Sequence, residues 1–268
     1  MDAEKVAATP PADEAHVGPY SATGSWPCAA RNTDLVDDEI RVWSAPIDQL
    51  ACRLADFAGV LSESEQKRAD RYQFERDRNR FIVRHGLLRI ILGGCLKTDP
   101  ARVAFAYESR GKPLLSGSAH PSPIHFNLSH SDGLALIAAT RQGPLGVDVE
   151  RVRPIPEADQ IAAKFFSPHE NAMLSAVPPA QKMEAFFHCW TRKEAYLKAT
   201  GEGIADALPQ IEVSLTPGQP ARLLSFNGDA KVASRWNLSA LAPAPGFVGA
   251  MAIEAVRVRL SCWHWSDK

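Results

Sequence analysis

The amino-acid sequence predicts an α+β fold made of two similar halves. The order strand, helices, strands occurs twice along the chain, and the two runs meet near residue 145. With 45% hydrophobic and 23% charged residues, the composition is that of an ordinary globular protein. The 268 residues are enough to bury the core of one large domain or of two small ones.

This order divides the chain into three segments. Residues 1–38 are rich in Ala, Pro, Gly, Ser and Asp, and we expect them to form a flexible N-terminal extension. Residues 39–145 are predicted to form the N-terminal α+β half, and residues 146–268 the C-terminal α+β half. A junction between two such halves is a natural place for a ligand.

The first half begins with a strand at residues 40–47. A helix follows from Ser62, which can act as its N-cap, and Glu65 completes a capping box. Residues 76–94 predict a stronger helix, because its apolar residues fall on one side and the Gly-Gly pair at 93–94 stops it. Short strands are then predicted at 103–107, 124–128 and 134–140.

The second half begins with a strand at residues 145–152. Ser167 can cap a helix in which Glu170 is the third residue, so the capping-box pattern recurs. Residues 186–203, "FFHCWTRKEAYLKATGEG", predict a further helix that is closed by Gly201. The chain ends in strands at 211–215, 221–226, 236–241, 247–256 and 258–263.

Charge and cysteine usage exclude several classes of protein. A net charge of −1 argues against a general nucleic-acid binder, which usually carries a basic excess. There is no apolar run long enough for a membrane span and no apolar signal-peptide core. The five cysteines are scattered and without a CxxC pair, so we expect reduced thiols in a cytoplasmic protein, with no disulfide frame and no zinc site.

The segment "GVDVE" contains two candidate metal ligands. Because side chains alternate along a strand, Val147 and Val149 should face the core while Asp148 and Glu150 share the other face. Two close carboxylates repel each other, and a hard cation such as Mg²⁺ relieves that repulsion with oxygen ligands. The alternative is a half-exposed strand with ordinary surface acids.

The helix at 186–203 supplies a third carboxylate and a lysine. Its predicted solvent face carries Arg192, Lys193, Glu194 and Lys198. Glu194 could complete a set of three metal carboxylates, and Lys198, one turn further on, could meet a phosphate held by the metal. The alternative is an exposed ion pair between these two side chains, four residues apart.

Basic residues near "ESRGKPLL" are candidate phosphate ligands. Arg110 and Lys112 flank Gly111 on a tight loop, where a guanidinium fork and a point charge can grip a phosphate. The alternative is a polar hairpin connection. Most of the basic residues in 67–89 are expected on a solvated helix face, with one or two turned inward to a ligand.

The segment "HFNLSHSDG" places three polar residues at a strand end, namely Asn127, Ser129 and His130. A Ser-His nucleophile pair would need an orienting acid and a nucleophile elbow, and neither is present in the sequence. Contacts to a phosphate or a base therefore fit better than acyl chemistry, and turn residues at a strand end are the alternative.

Taken together, these segments resemble the Sfp-type 4′-phosphopantetheinyl transferases. The resemblance rests on "GKPLL", "FNLSHSDG", "GVDVE", "FFSPHE" and "WTRKEAYLKATGEG", in the order of that family, and covers about residues 40–215. It implies two similar α+β halves related by a pseudo-twofold axis, with coenzyme A at their junction. It also implies transfer of the phosphopantetheine arm to a serine of an acyl, peptidyl or aryl carrier protein, with release of 3′,5′-ADP.

The resemblance also implies roles for individual residues. Asp148, Glu150 and Glu194 match the carboxylates that bind Mg²⁺, with Mn²⁺ as an alternative. Lys198 matches the pyrophosphate contact and leaving-group acid, and Glu170 a position proposed as the general base. The residues matching the nucleotide and phosphate contacts are Arg80, Arg110, Gly111, Lys112, Asn127, Ser129 and His130, with Lys67 among them if no gap intervenes in that region.

Two other functions remain open at this point. A metal-dependent nuclease could use the same three carboxylates and a lysine, although the spacing of Glu194 and Lys198 is not the usual one. A non-catalytic CoA-binding module is the second alternative, although it should lack part of the metal set. We expect a monomer that acts on carrier proteins, while the sequence leaves the particular carrier and pathway open.

Overall fold

A computed structural model describes most of the chain, in ranges separated by five gaps. The described residues are 26–30, 33–108, 111–116, 124–201, 207–255 and 257–266. The strands are β1 (Cys28–Ala30), β2 (Glu39–Pro46), β3 (Phe105–Tyr107), β4 (Pro113–Leu115), β5 (His125–Ser131), β6 (Leu134–Thr140), β7 (Leu145–Arg151), β8 (Ile211–Val213), β9 (Leu223–Phe226), β10 (Asn237–Leu241), β11 (Phe247–Ile253) and β12 (Arg259–Ser266). The α-helices are α1 (Leu54–Gly59), α2 (Glu63–Ala69), α3 (Glu75–Leu96), α4 (Ala158–Phe165), α5 (Pro168–Ala176), α6 (Lys182–Thr200) and α7 (Ala230–Ala233). None of the helices within these ranges is long and apolar enough to cross a membrane.

Two halves repeat the same order of elements, which confirms the predicted α+β class. The first half runs β2, α3, the β3–β4 pair and the β5–β6 hairpin, and the second runs β7, α6, the β8–β9 pair and then β10 and β11. In both halves the first strand pairs antiparallel with the last, giving the orders β2-β6-β5 and β7-β11-β10.

The larger sheet contains a strand from the far end of the chain. Its order is β1-β12-β2-β6-β5, and β12 lies parallel to both β1 and β2. Residues 259–266, which the predicted division assigns to the C-terminal half, therefore complete the sheet of the first half. The division at residue 145 remains a prediction, and this strand crosses it.

The two sheets and their long helices form the core in layers. Leu87 and Ile91 of α3 pack with Ile137 of β6 on one face of the larger sheet. Leu136, the neighbour of Ile137, points the other way and packs with Val147 of β7 between the two sheets. Helix α6 covers the outer face of the smaller sheet, so the layers follow the order helix, sheet, sheet, helix.

The described end of the predicted extension is packed against the protein. Trp26 is only 3% exposed, and its ring lies 5.8 Å from that of His264. Strand β1 pairs with β12 through Cys28 and Ala30. The flexible extension predicted for residues 1–38 therefore does not reach residue 38, and its residues 1–25 lie outside the described ranges.

The predicted helix caps are confirmed, whereas the predicted end of α3 is wrong. Ser62 and Ser167 both form complete capping boxes with the glutamate three residues on. Helix α3 runs through the Gly-Gly pair to Leu96 and ends at Lys97, whose φ is 53°. Gly93 has a packing role instead, because a Cβ there would lie 3.0 Å from the Pro100 Cα.

Candidate active site

Strand β7 and helix α6 bring the predicted metal and phosphate residues together. As the alternation of side chains predicts, Val147 and Val149 enter the core between the sheets. Asp148 and Glu150 project from the opposite face, on which α6 packs. Gly146 permits the close approach, because a Cβ there would lie 2.0 Å from the carbonyl oxygen of Ala195.

Lys198 on α6 is hydrogen bonded into β7 and β5. Its Nζ donates to Asp148 Oδ1 at 2.6 Å, to Ser129 Oγ at 3.0 Å and to the Val147 carbonyl at 3.3 Å. The ion pair of Lys198 is therefore with Asp148, on a different element, and not with Glu194 as in the alternative drawn from the helix spacing.

Glu194 lies among the same charges and has no partner in the part of the chain that the structure describes. Its residue is 6% exposed, and no described residue makes a hydrogen bond or ion pair with its carboxylate. Burial raises the pKa of Glu194 to about 7, and the negative charges of Asp148 and Glu150 contribute to this increase. The positive charge of Lys198 acts in the opposite direction. Glu194 is thus close enough to the two strand carboxylates to be repelled by both.

Each of the two carboxylates of β7 has one oxygen that accepts a hydrogen bond and one that accepts none from the described residues. Asp148 Oδ1 accepts from Ser129 Oγ at 2.7 Å as well as from Lys198, while Asp148 Oδ2 is buried without a hydrogen-bond partner among the described residues. Glu150 Oε2 accepts from Ser131 Oγ at 2.6 Å. Burial raises the pKa of Glu150, and the nearby Asp148 charge adds to this.

The donor chemistry of this cluster fits a hard divalent cation. Within the described ranges, no three His, Cys, Asp or Glu side chains already stand as a group that could hold a metal ion. However, the buried and unpartnered Asp148 Oδ2 and the mutual repulsion of the acids are what an oxygen-binding cation would relieve. Asp148, Glu150 and Glu194 therefore remain the predicted metal ligands.

A positively charged region lies beside the acidic cluster. Partial burial and the charges of Arg84, Lys198 and Arg80 lower the pKa of His130 to about 4, so its imidazole is neutral at pH 7. Arg80 is held by two hydrogen bonds to Asp48, at 2.7 and 2.6 Å. A phosphate contact by Arg80 would have to share or replace this pairing.

The "GKPLL" segment approaches the end of α6. Lys112 Nζ donates to the carbonyl oxygens of Lys198 at 2.5 Å and of Ala199 at 3.3 Å, where the negative end of the helix dipole lies. Burial lowers the pKa of Lys112. Gly111 has a φ of 83° and open space around it, and Arg110 lies outside the described residues.

The structure gives Glu170 a structural role that conflicts with the predicted role of general base. Glu170 is fully buried, and its oxygens accept from the backbone N–H groups of Ser167 at 2.7 Å and Val213 at 2.9 Å. Lys193, also fully buried, pairs with it at 2.6 Å. These contacts saturate the carboxylate and leave no route for a substrate hydroxyl.

Two further predicted contacts also have structural partners. Asn127 Oδ1 accepts from the backbone N–H of Val147 at 3.0 Å and so joins β5 to β7. Lys67 is exposed on α2 and pairs with Glu63 at 2.5 Å. No contact of Lys67 with the cluster is present among the described residues, so its role as a phosphate ligand has no support from the geometry.

Of two further residues beside the site, Ser131 was not predicted and Arg84 was predicted only as one of the basic residues in 67–89. Ser131 binds Glu150, and the signal for it was its position two residues after Ser129 on the same face of one strand. Arg84 lies 5.2 Å from the centroid of the Phe81 ring, and its charge contributes to the low pKa of His130. Its spacing of one turn from Arg80 on α3 was the available signal.

Two α+β halves with acids and a lysine at their junction are typical of proteins that bind a metal ion together with phosphate groups. Family comparison is more specific. A family model described as the 4′-phosphopantetheinyl transferase superfamily matches residues 144–251, and one described as 4′-phosphopantetheinyl transferase, N-terminal, matches residues 43–142.

Three named relatives agree with these matches. The chain is 42% identical over 241 residues to the 4′-phosphopantetheinyl transferase HetI of Nostoc sp., covering 90% of this chain and 98% of that protein. It is 34% identical to the 4′-phosphopantetheinyl transferase psf-1 of Bacillus pumilus, over 66% of this chain and 75% of psf-1. It is 29% identical to the 4′-phosphopantetheinyl transferase Sfp of Bacillus subtilis, over 59% and 68% of the two chains. The chain therefore belongs to the 4′-phosphopantetheinyl transferase superfamily and is an enzyme of that type.

Proposed function

We propose that the protein transfers the 4′-phosphopantetheine arm of coenzyme A to a serine of an apo carrier protein, in a Mg²⁺-dependent reaction that releases 3′,5′-ADP. The observation that carries the proposal is the cluster of Asp148, Glu150, Glu194 and Lys198, in which β7 and α6 bring three acids and one ammonium group to a single place. Family membership supplies the reaction type, and the cluster supports the proposal because its acids could bind a cation and its ammonium a phosphate.

Asp148, Glu150 and Glu194 would hold the cation, with Mg²⁺ preferred and Mn²⁺ as an alternative. When bound there, Mg²⁺ would offset the negative charge of the CoA pyrophosphate. Among the carboxylate oxygens of these three residues, Asp148 Oδ2 is the best placed to bind the cation, because it is buried and receives no hydrogen bond from the described residues. Its partner oxygen is already fixed by Ser129 and Lys198.

Lys198 would bind the pyrophosphate and stabilise the leaving group. Its side chain is 29% exposed, so the ammonium can reach a ligand while it keeps the contact with Asp148. The charges of Arg80, Arg84 and Lys198 all lower the pKa of His130, and Lys112 binds the Lys198 carbonyl. The remaining phosphates would be contacted by Arg80, Arg84, Lys112 and His130. Arg110 and Gly111, which the resemblance matches to the same contacts, would join them. Phosphoryl transfer needs positioning and charge neutralisation more than a protein nucleophile, and the carrier serine provides the nucleophile.

Of the two acids considered as general base, Glu194 fits the geometry better than Glu170. Glu194 lies beside Asp148, Glu150 and Lys198, where the carrier serine would have to meet the pyrophosphate. Glu170 is fully buried and saturated.

The partners we propose are coenzyme A and an apo carrier protein, acting with a monomer of this chain in the cytoplasm. All five cysteines are free thiols, which supports a reducing compartment. A basic region beside the cluster would attract an acidic carrier surface despite the overall charge of −1. The nuclease and the non-catalytic CoA-binding module have no support among the comparisons.

A single assay tests the proposal. The protein is incubated with CoA, Mg²⁺ and each of a panel of apo carrier proteins, and each carrier is weighed by mass spectrometry. We expect a mass increase equal to one phosphopantetheine arm, lost on adding EDTA and restored by Mg²⁺. No increase on any carrier that a control transferase modifies would overturn the proposal.

Glu194→Gln tests the cluster within this assay. We expect transfer to fall by more than about 100-fold, since removing even an outer partner of a metal ligand costs about 10–100-fold. The variant should remain folded with at least wild-type thermal stability, because the substitution removes a buried charge that its neighbours repel. Full activity of Glu194→Gln would remove Glu194 from the site.

A further inference from the structure

We propose that Ser131 is a positioning residue, which fixes the orientation of Glu150 so that one of its oxygens is free for the cation. The inference rests on the proposed function, because it concerns how the predicted metal ligands are held. Ser131 belongs to the first half of the chain and Glu150 to the second, so the contact also joins the two halves at the site.

The hydroxyl of Ser131 has its direction set by the backbone. Its Oγ accepts from the N–H of Arg151 at 3.3 Å and donates to Glu150 Oε2 at 2.6 Å. The residue is 9% exposed, so its hydroxyl is largely shielded from water. A short donor bond to a carboxylate is stronger than a neutral hydrogen bond, and it orients the acceptor.

The neighbouring serine on the strand does the same for the other acid. Ser129 donates to Asp148 Oδ1, and Ser131, two residues on, donates to Glu150 Oε2, two residues on from Asp148. In each pair the second oxygen is left over: Asp148 Oδ2 is buried and unpartnered, and Glu150 Oε1 receives no hydrogen bond from the described residues. Two serines thus bind one oxygen of each acid and leave one oxygen of each for a cation.

Ser131 also holds Glu150 against a competing attraction. Arg153 Nη1 lies 3.9 Å from the same Oε2, and the Arg153 side chain is 53% exposed. Without the Ser131 hydroxyl, the Glu150 carboxylate could turn outward toward this guanidinium. The site would then lose the alignment of Glu150 with Asp148, although every predicted ligand would still be present.

The test compares Ser131→Ala with a matched variant elsewhere. Ser225 on β9 donates to Glu212 Oε2 at 3.1 Å and is 8% exposed, so Ser225→Ala also removes a partly buried serine–glutamate hydrogen bond on a strand. Mn²⁺ binding is measured by the electron paramagnetic resonance of free Mn²⁺, with CoA present and carrier protein absent. The Mg²⁺ dependence of transfer is measured in parallel.

We expect Ser131→Ala to weaken Mn²⁺ binding by about 10-fold or more, the usual size for an outer partner of a metal ligand. The half-saturating Mg²⁺ concentration should rise similarly, with kcat at saturating Mg²⁺ changed much less. Ser131→Thr, which keeps the hydroxyl, should restore binding, and Ser225→Ala should bind Mn²⁺ like the wild type.

Unchanged Mn²⁺ affinity in Ser131→Ala would overturn the inference, and so would an equal loss in Ser225→Ala. These results would leave the proposed function intact, because wild-type binding and transfer would still be observed. Absence of Mn²⁺ binding and of transfer in the wild-type protein would instead overturn the proposed function and this inference with it.

Discussion

Three consecutive charged residues of α6 are buried, and they differ in the partners that they have among the described residues. Arg192 donates to the Ser214 carbonyl at 2.6 Å, Lys193 pairs with Glu170, and Glu194 has no partner among the described residues. The sequence predicts a solvent face here, because charged residues usually mark the exposed side of a helix. That prediction was wrong because α6 is covered both by the smaller sheet and by β8, which sequence periodicity cannot show.

The buried pair between Glu170 and Lys193 separates a structural role from a catalytic one. We expect Glu170→Gln to lower the free energy of unfolding by about 3–5 kcal/mol, because it leaves the Lys193 ammonium buried without its counter-charge. Folded Glu170→Gln should still transfer at close to the wild-type kcat. Urea unfolding and the carrier assay at low temperature measure the two quantities. A large loss of kcat at unchanged stability would restore Glu170 as the general base.

At the scale of elements, local signals were predicted well and contacts between elements were not. Both capping boxes need only four consecutive residues, and the alternation along β7 needs only five, so all three were visible in the sequence. The end of α3 was missed because Gly93 serves a contact with Pro100. Ser131 was missed because its partner lies on another strand. The spacing of residues along one segment does not predict which other segment packs beside it.

Gly146 sets the distance between β7 and α6, and Gly146→Ala should push the two elements apart. The new Cβ would lie 2.0 Å from the Ala195 carbonyl oxygen and 2.5 Å from the Ala199 nitrogen, and backbone atoms cannot move aside cheaply. We expect a loss of about 3 kcal/mol in the free energy of unfolding. Transfer should also fall, because the displaced helix carries Lys198 away from Asp148.

Gly59→Ala is the matched control for this variant. No atom lies within 4 Å of a Cβ at Gly59, which is at the end of α1, so its substitution should be neutral. Thermal unfolding and the carrier assay are measured on both variants. Wild-type stability and transfer in Gly146→Ala would show that α6 need not lie so close to β7.

The carboxylate of Glu65 ties helix α2 to helix α3, and the stability that it contributes depends on pH. Burial opposes ionisation of Glu65, but hydrogen bonds from His85, Ser62 and Arg89 outweigh it and lower the pKa of Glu65 from 4.5 to about 2. Because the folded pKa lies below the unfolded one, the stabilisation is complete above pH 4.5 and is lost as the pH falls toward 2. The shift corresponds to about 3 kcal/mol at pH 7.

Glu65→Gln should therefore lower the free energy of unfolding by about 3 kcal/mol at pH 7. Urea unfolding at several pH values should show the difference from the wild type narrowing below pH 4.5, with more than half of it gone by pH 3. Glu63→Gln is the control, since Glu63 is exposed on the same helix and pairs only with Lys67 among the described residues. A difference that does not change with pH would contradict the assigned pKa.

For the whole molecule, the sequence predicted the order of elements but not how the sheets are completed. Strands β5 and β7 are edges of different sheets, and side chains rather than a backbone ladder join them, through Asn127, Ser129 and Ser131. The candidate site lies along this join. Pattern alone predicted the two carboxylates of β7 and the helix beside them. It could not predict β12 in the first sheet, because pairing between distant strands leaves no local periodicity.

Strand β12 belongs to the C-terminal half of the sequence but completes the sheet of the first half. We therefore expect that the two halves do not fold independently. A chain that ends at Val258 would expose the edge of β2 and lose the buried side chains of Leu260, Cys262 and Trp265. Burial of each large apolar side chain contributes about 1.5–3 kcal/mol, and a domain is stable by only about 5–15 kcal/mol in total. We therefore expect the shortened chain to lose cooperative unfolding. Circular dichroism and tryptophan fluorescence measured against urea concentration would show this loss.

A peptide of residues 257–268 added in excess should restore part of the unfolding transition of the shortened chain by pairing with β2. Cooperative unfolding of the shortened chain at the wild-type midpoint would show instead that the first half is complete without β12, and that the chain divides near residue 145 as the order of its elements predicts.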